Sequence, residues 1–245
     1  MKEQFERTQM LFGDTAMDKL AKARVIVFGI GGVGGHVCEV LVRAGIGEID
    51  IVDNDVVSVS NLNRQIIATN SSIGRYKVDV MKERLLDINS DVKVNIHNCF
   101  YLPENRDEFD FNSYDYVVDA IDTVTAKLDI IEQCNKCGTR IISSMGTGNK
   151  INPTMLEVAD IYETVNDALA RVMRRELRKR GINSLKVVYS KEDSIKPIMN
   201  PDKIKQIEEE SQGKRVKLPP GSTSFVPSAC GIIIGSEVIK DIIFC

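Results

Sequence analysis

The apolar run Val25-Ile26-Val27-Phe28 passes directly into Gly29-Ile30-Gly31-Gly32-Val33-Gly34, after which Val33, Val37, Val40, Leu41 and Ala44 recur at helical spacing. The run reads as a strand buried on both faces, and the recurrence as a helix with one apolar face. The glycines therefore sit at a strand-to-helix junction, which fixes the opening of the fold as a β-α unit. Backbone N–H groups left free at the helix start, together with the helix dipole, form an anion site. Glycine lets the main chain approach a phosphate with no Cβ in the way. Such a turn serves NAD, FAD and ATP enzymes alike, and in other chains only closes a helix onto a sheet.

Strand and helix patterns alternate from that point to about Ser144. This order predicts an α/β, Rossmann-like, doubly wound and mainly parallel sheet with helices on both faces. With 245 residues and 43% apolar content, the chain can bury one substantial core. We read 1–245 as a single domain with an N-terminal helical arm over 1–22. Later elements are a strand near Thr154–Ile161, a basic helix, a strand at Lys186–Tyr189 and a final helix after Ser228. The tract 191–222 has few apolar residues and contains Pro197, Pro201, Pro219 and Pro220. It reads as a mobile loop or lid, with a short helix around Ile204–Glu210.

The second strand, Ile49-Asp50-Ile51-Val52, ends at Asp53, where a carboxylate ordinarily accepts hydrogen bonds from ribose hydroxyls. A dehydrogenase has no use for the polar set beyond it: Asp55, Asn61, Arg64, Gln65, and Lys77 on a helix whose apolar face is Val78, Met81, Leu85 and Leu86. Arg and Lys converging on the phosphate end suit a triphosphate whose charge grows as pyrophosphate leaves. Solvated surface charge is the plain alternative for Arg64 or Lys77 taken alone. A third piece, Tyr116-Val117-Val118-Asp119-Ala120-Ile121-Asp122, delivers an acid at a strand's C-terminal end. Asp122 or Thr123 can cap the next helix, and Asp122 can also ligate Mg²⁺, which takes one or two carboxylates plus substrate phosphates.

Taken together, Gly29-x-Gly31-Gly32-x-Gly34, Asp53-x-Asp55, Ser60-Asn61-Leu62-x-Arg64-Gln65, Lys77 and Asp119-x-x-Asp122 resemble the ubiquitin-activating-enzyme-like superfamily. Its members adenylate carboxylates with Mg-ATP. The resemblance implies that Asp53 holds the ribose, that Asn61, Arg64 and Lys77 hold the phosphates, and that Asp122 holds the metal. Arg7 resembles the arginine that such proteins insert into a partner subunit's nucleotide site, which implies a homodimer. Within the superfamily, Ser143 to Thr154, Val158 to Thr164 and Leu169 to Arg174 are similar to the tRNA threonylcarbamoyladenosine dehydratases. That branch activates the threonyl carboxylate of a modified adenosine and cyclises it with release of AMP. A related reading keeps the same nucleotide residues but takes the carboxylate from a ubiquitin-like sulfur carrier.

Local charge fits a tRNA substrate. The net charge is −3, yet Arg171, Arg174, Arg175, Arg178, Lys179 and Arg180 stand together with one acid, Glu176. Arg171, Arg174, Arg175 and Arg178 share a helical face, and a basic stripe is the footprint of a phosphate backbone. A solvated helix surface is the competing reading. Sulfur-carrier-activating relatives commonly carry two Cys-x-x-Cys pairs; here Cys134 and Cys137 form one, too few ligands for a closed zinc site. Cys230, in the segment just before the final apolar helix, is the thiol to watch for a covalent role. No signal peptide or spanning segment is expected, and six unpaired-looking cysteines suit a reducing cytoplasm.

Overall fold

The computed structural model describes residues 3–198 and 220–244. Its strands are β1 Arg24–Phe28, β2 Glu48–Val52, β3 Lys93–His97, β4 Tyr116–Asp119, β5 Ile141–Ser144, β6 Leu156–Asp160 and β7 Lys186–Ser190. They form one sheet in the order β3-β2-β1-β4-β5-β7-β6. Every pairing is parallel except β6 with β7, which is antiparallel and closes one edge. The predicted doubly wound α/β class is therefore what the chain adopts, with an antiparallel edge strand added.

The helices are α1 Glu6–Phe12, α2 Asp14–Lys22, α3 Gly34–Ala44, α4 Lys77–Ile88, α5 Val124–Cys137, α6 Ala168–Lys179 and α7 Phe225–Phe244. Side chains of a strand alternate between faces, and the core divides accordingly. Val25, Val27, Ile49, Ile51 and Val118 pack with α2, α3, α4 and α7 on one face. On the other, Ile26, Phe28, Val52 and Val117 meet Ala126, Ile130 and Cys134 of α5. Further along that face, Val187 and Tyr189 of β7 pack with Met173 and Leu177 of α6.

Two elements differ in detail from the sequence reading. The N-terminal arm is two helices, split at Gly13, whose φ of +78° is strained for a residue with a Cβ. Only α2 buries residues, namely Ala16, Met17 and Leu20, while α1 buries none. The last helix starts at Phe225 rather than after Ser228, because proline is tolerated in a first turn and Pro227 sits in that turn. Cys230 is consequently inside α7 and fully buried, not before it. Helix α7 lies close against α3: a Cβ on Gly231 would come within 2.4 Å of the Val33 carbonyl, and one on Gly235 within 2.7 Å of Val40.

Most of the expected loop 191–222, including the short helix at Ile204–Glu210, lies outside the described residues. Among the described residues no helix is long and apolar enough to cross a membrane.

Candidate active site

Strand order reverses where β1 pairs with β2 on one side and β4 on the other. Ligands gather outside the carboxyl ends of strands at such a switch point. A cavity of about 350 Å³ opens there. It is lined by the glycine turn, the segment after β2, the turn after β4, and residues that arrive from much later in the chain.

The glycines do not share one job. Gly29, with φ of +89°, turns the chain where a Cβ would sit 2.8 Å from the Ala120 carbonyl. Gly31 faces open space, its nearest neighbour being Gln65 Nε2 at 4.0 Å. Gly29, Gly31 and Gly32 line the cavity. Gly34 does not: a Cβ there would lie 1.8 Å from the Gly29 carbonyl oxygen. Its role is to let the helix close onto the strand, so the expected cofactor contact at Gly34 is replaced by packing.

Asp53 is tied to this turn. Its Oδ2 accepts from the Ile30 N–H and its Oδ1 from the Asp55 N–H, both at 2.8 Å. Lys77 opens α4 and is buried; its Nζ donates to Asp55 Oδ2 at 2.6 Å and lies 3.7 Å from Asp53 Oδ1. Asn61 uses its carbonyl to accept from Ser58 N–H at 3.0 Å. Arg64 is held across the cavity wall by Nη1 bonds to the Ser60 carbonyl at 2.8 Å and Asn63 Oδ1 at 2.9 Å. All five of Asp53, Asp55, Asn61, Arg64 and Lys77 line the same cavity. Gln65 lines it too, and its buried Oε1 has no hydrogen-bond partner among the described residues. A buried amide without a partner is costly, and a polar ligand in the cavity would supply what it lacks. Because amide O and N are assigned from the network, either end of Gln65 can meet that ligand.

On the opposite wall, Asp119 is fully buried between Lys127 Nζ at 2.9 Å and Ser143 Oγ at 2.5 Å. Asp122 is exposed to the cavity and makes no hydrogen bond or ion pair among the described residues. Neither capping alternative holds: Thr123 occupies the N-cap of α5 without a side-chain capping bond, and Asp122 bonds to nothing there. A carboxylate free among the described residues and facing this cavity fits Mg²⁺, a hard cation that takes oxygen ligands. No group of three or more His, Cys, Asp and Glu is placed to hold a metal among the described residues. Phosphate oxygens and water would have to complete the coordination.

Several cavity residues were not foreseen. Cys99, Phe100 and Tyr101 come after β3; Thr147 comes after β5; Ser222 and Pro227 come from the end of the chain. Phe100 is 47% exposed and lines the cavity, while Tyr101 is buried with its hydroxyl on Asp129 at 2.7 Å. The segment at Gly221 is strapped across the wall. Asn149 N–H donates to the Gly221 carbonyl at 2.8 Å, Gly221 N–H donates to Asn149 Oδ1 at 2.7 Å, and Asn63 Nδ2 reaches the Ser222 carbonyl at 3.1 Å. An aromatic run straight after an edge strand was the one available signal; the other residues are joined only by topology.

Other expected residues lie elsewhere. Arg7 is exposed on α1 and does not line the cavity of its own chain. Helix α6 buries Ala170, Met173 and Leu177 and carries the arginines on its other sides. Arg171 and Arg178 are exposed, and Arg178 lies over the Tyr162 ring at 5.1 Å. Arg175 pairs with Glu176 at 3.0 Å, while half-buried Arg174 folds back to donate to the Thr164 carbonyl at 2.9 Å. The α6 N-cap, Asp167, also accepts from the Gly146 N–H at 3.1 Å, one residue from Thr147 of the cavity wall. Cys134 is buried and Cys137 exposed, both as free thiols. Burial pushes the Cys230 thiol up to about 12, and its Sγ is 3.5 Å from Ser144 Oγ. Neither its protonation nor its access suits a nucleophile.

The cavity thus joins an anion-binding turn, two cations, a ribose-type acceptor and a free carboxylate, a set matched to a nucleoside triphosphate. A ThiF family model matches residues 5–243. The chain is 39% identical over 245 residues to the tRNA threonylcarbamoyladenosine dehydratase of Bacillus subtilis (strain 168), across 99% of this chain and 96% of that protein. The crystal structure of the E. coli enzyme of that name, TcdA, in complex with AMP superposes with a TM-score of 0.87. There, identity is 32% over 99% of this chain and 94% of that one. The same enzyme in complex with ATP gives a TM-score of 0.85 at 32% identity, with the same shares of the two chains.

Proposed function

Since this chain belongs to the ThiF family, we propose that it is an ATP-dependent tRNA threonylcarbamoyladenosine dehydratase. The observation that carries this reading is the meeting of Asp53, Arg64, Lys77 and Asp122 around one cavity, in a chain similar over its whole length to enzymes of that name. The site is built for ATP, and the whole of 1–245 acts as one adenylating unit.

The threonyl carboxylate of the modified adenosine, ionised at neutral pH, attacks the α-phosphorus of ATP. Pyrophosphate leaves, and an acyl adenylate forms. The threonylcarbamoyl group's own nucleophilic atom then attacks the activated carbonyl, closing the ring and expelling AMP. The net change is loss of one water from the nucleoside, balanced by ATP going to AMP and pyrophosphate. Intramolecular attack carries its own high effective concentration, so no enzyme nucleophile is required. That agrees with the buried, protonated thiol of Cys230.

Asp53 accepts from the ribose with the lone pairs its backbone contacts leave free. Gly31 and Gly32 present N–H groups to the phosphates, joined by Asn61, Gln65, Arg64 and Lys77. On binding, Lys77 exchanges part of its contact with Asp55 for phosphate oxygens. Asp122 would hold Mg²⁺, which supplies charge neutralisation for the departing pyrophosphate. Arg7 of a second copy completes the site. Helix α1, which buries nothing and leaves Met10 80% and Leu11 81% exposed, has the apolar surface a homodimer would cover. The exposed Arg171 and Arg178, with Arg174 and Arg175 beside them, receive the tRNA backbone, and the protein works in the cytoplasm.

The test is mass analysis of nucleosides from tRNA incubated with protein and ATP. Loss of one water from threonylcarbamoyladenosine is expected, with one AMP per event. An unchanged nucleoside, with AMP formed instead on a carrier protein ending in Gly-Gly, would replace this reading.

A further inference from the structure

Lys127 is fully buried, although an ammonium is among the groups most strongly held at a protein surface. It lies one turn into α5, immediately behind the loop that carries Asp122. Its Nζ donates to the Ile121 carbonyl at 3.0 Å and to Asp119 Oδ2 at 2.9 Å. Asp119 is completed by Ser143 Oγ on Oδ2, and its Oδ1 lies 3.4 Å from the Ile121 N–H. Both polar groups of the Ile121 backbone are thus gripped by one buried ion pair. The Ala120 N–H is fixed as well, donating to the Phe28 carbonyl at 2.8 Å. Asp122 itself is held by nothing among the described residues.

For packing alone, a buried pair is an expensive choice, since apolar residues of similar volume often do as well or better. What the pair supplies is orientation, because two charge-assisted bonds fix the main chain next to a side chain left free for a ligand. We infer that Lys127 is a positioning residue: through Asp119 and the Ile121 backbone it holds the 120–122 turn so that the Asp122 carboxylate meets the metal ion of bound Mg-ATP. This rests on the proposed reading of Asp122 as the magnesium ligand.

The test is the extent to which Mg²⁺ tightens ATP binding, measured by titration calorimetry without tRNA on wild type, Lys127→Met, Asp122→Asn and the double variant. Thermal melts accompany each protein. Lys127→Met is expected to keep its affinity for Mg²⁺-free ATP but to lose about 10- to 100-fold of the tightening, the scale of a misplaced site group. Adding Lys127→Met to Asp122→Asn should cost nothing further, because both act through one carboxylate. Where Lys127→Met melts too low to measure, Asp119→Asn/Lys127→Met removes both charges and should show the same loss.

If Asp122→Asn leaves the Mg²⁺ effect intact, the metal reading of Asp122 fails and takes the role of Lys127 with it. If Asp122→Asn abolishes the effect while the Lys127 variants retain it, the metal reading stands and the positioning role is overturned. Losses that add in the double variant overturn it equally.

Discussion

Asp50 offers a quantitative test of how the sheet is held beside the site. Its carboxylate is fully buried on β2 and receives five donors from three other segments. Arg24 gives two, Nη2 to Oδ1 at 2.9 Å and Nε to Oδ2 at 3.0 Å. Asn95 Nδ2 reaches Oδ2 at 3.1 Å, His97 Nε2 lies 3.0 Å from Oδ1, and the Tyr114 hydroxyl is 3.4 Å away. Burial pushes this acid upward, but hydrogen bonds from His97, Arg24 and Asn95 outweigh it and hold it at about 2. The folded value is below the unfolded one, so the stabilisation is complete above the unfolded value of about 3.9 and is lost as pH falls through about 2. The gap of about two units corresponds to roughly 2–3 kcal/mol. Asp50→Asn keeps the shape but turns an NH₂ toward donors from Arg24 and Asn95, so the cost at neutral pH should be about 2–4 kcal/mol. Urea unfolding of both proteins, followed by circular dichroism from neutral pH to about pH 2.5, measures it. The difference should narrow steadily below about pH 4. A difference that stays constant over that range, or one below about 1 kcal/mol at neutral pH, refutes the reasoning.

Gly31→Ala and Gly34→Ala should separate ligand contact from packing. The first, with open space around it, melts like wild type and weakens ATP binding. The second forces a methyl into the Gly29 carbonyl and costs about 1–3 kcal/mol of stability before any ligand is added. Arg64→Ala should slow adenylation by about 100-fold or more, equivalent to about 3 kcal/mol of lost charge stabilisation, read by pyrophosphate release. Arg171→Glu combined with Arg178→Glu should weaken tRNA binding and lower the salt dependence by about one unit per lost phosphate contact. ATP affinity measured on the same protein should not move.

The site's first wall was legible because its residues are local signals. A strand, a glycine turn and a helix are contiguous, and Asp53 and Asp122 stand where strands end. Lys77 could be placed on a helix from its periodic apolar neighbours. Other features were hidden because they depend on distant contacts. Nothing in Gly34 separates it from Gly31 until the Gly29 carbonyl is seen beneath it. The apparent uniformity of the α6 stripe broke down because Thr164 captures Arg174 and Glu176 captures Arg175. Periodicity counts charges on a face but says nothing of which are already engaged. Strand β6 read as one more strand, and its antiparallel pairing with β7 arises from a connection whose direction no local pattern encodes. Pro227 does not mark where α7 begins, since a proline inside a first turn and one ahead of a helix look alike in sequence.

The two close glycine contacts between α7 and α3 have a consequence for biosynthesis. Gly34 is synthesised 191 residues ahead of Phe225, the first residue of the helix that covers α3. Until that helix is made, this wall of the cavity lacks its cover, and the pairing of α3 with α7 is long-range in sequence, which slows folding. A nascent chain stalled before Gly231 should therefore hold ATP poorly even though every residue proposed to hold the phosphates has been synthesised.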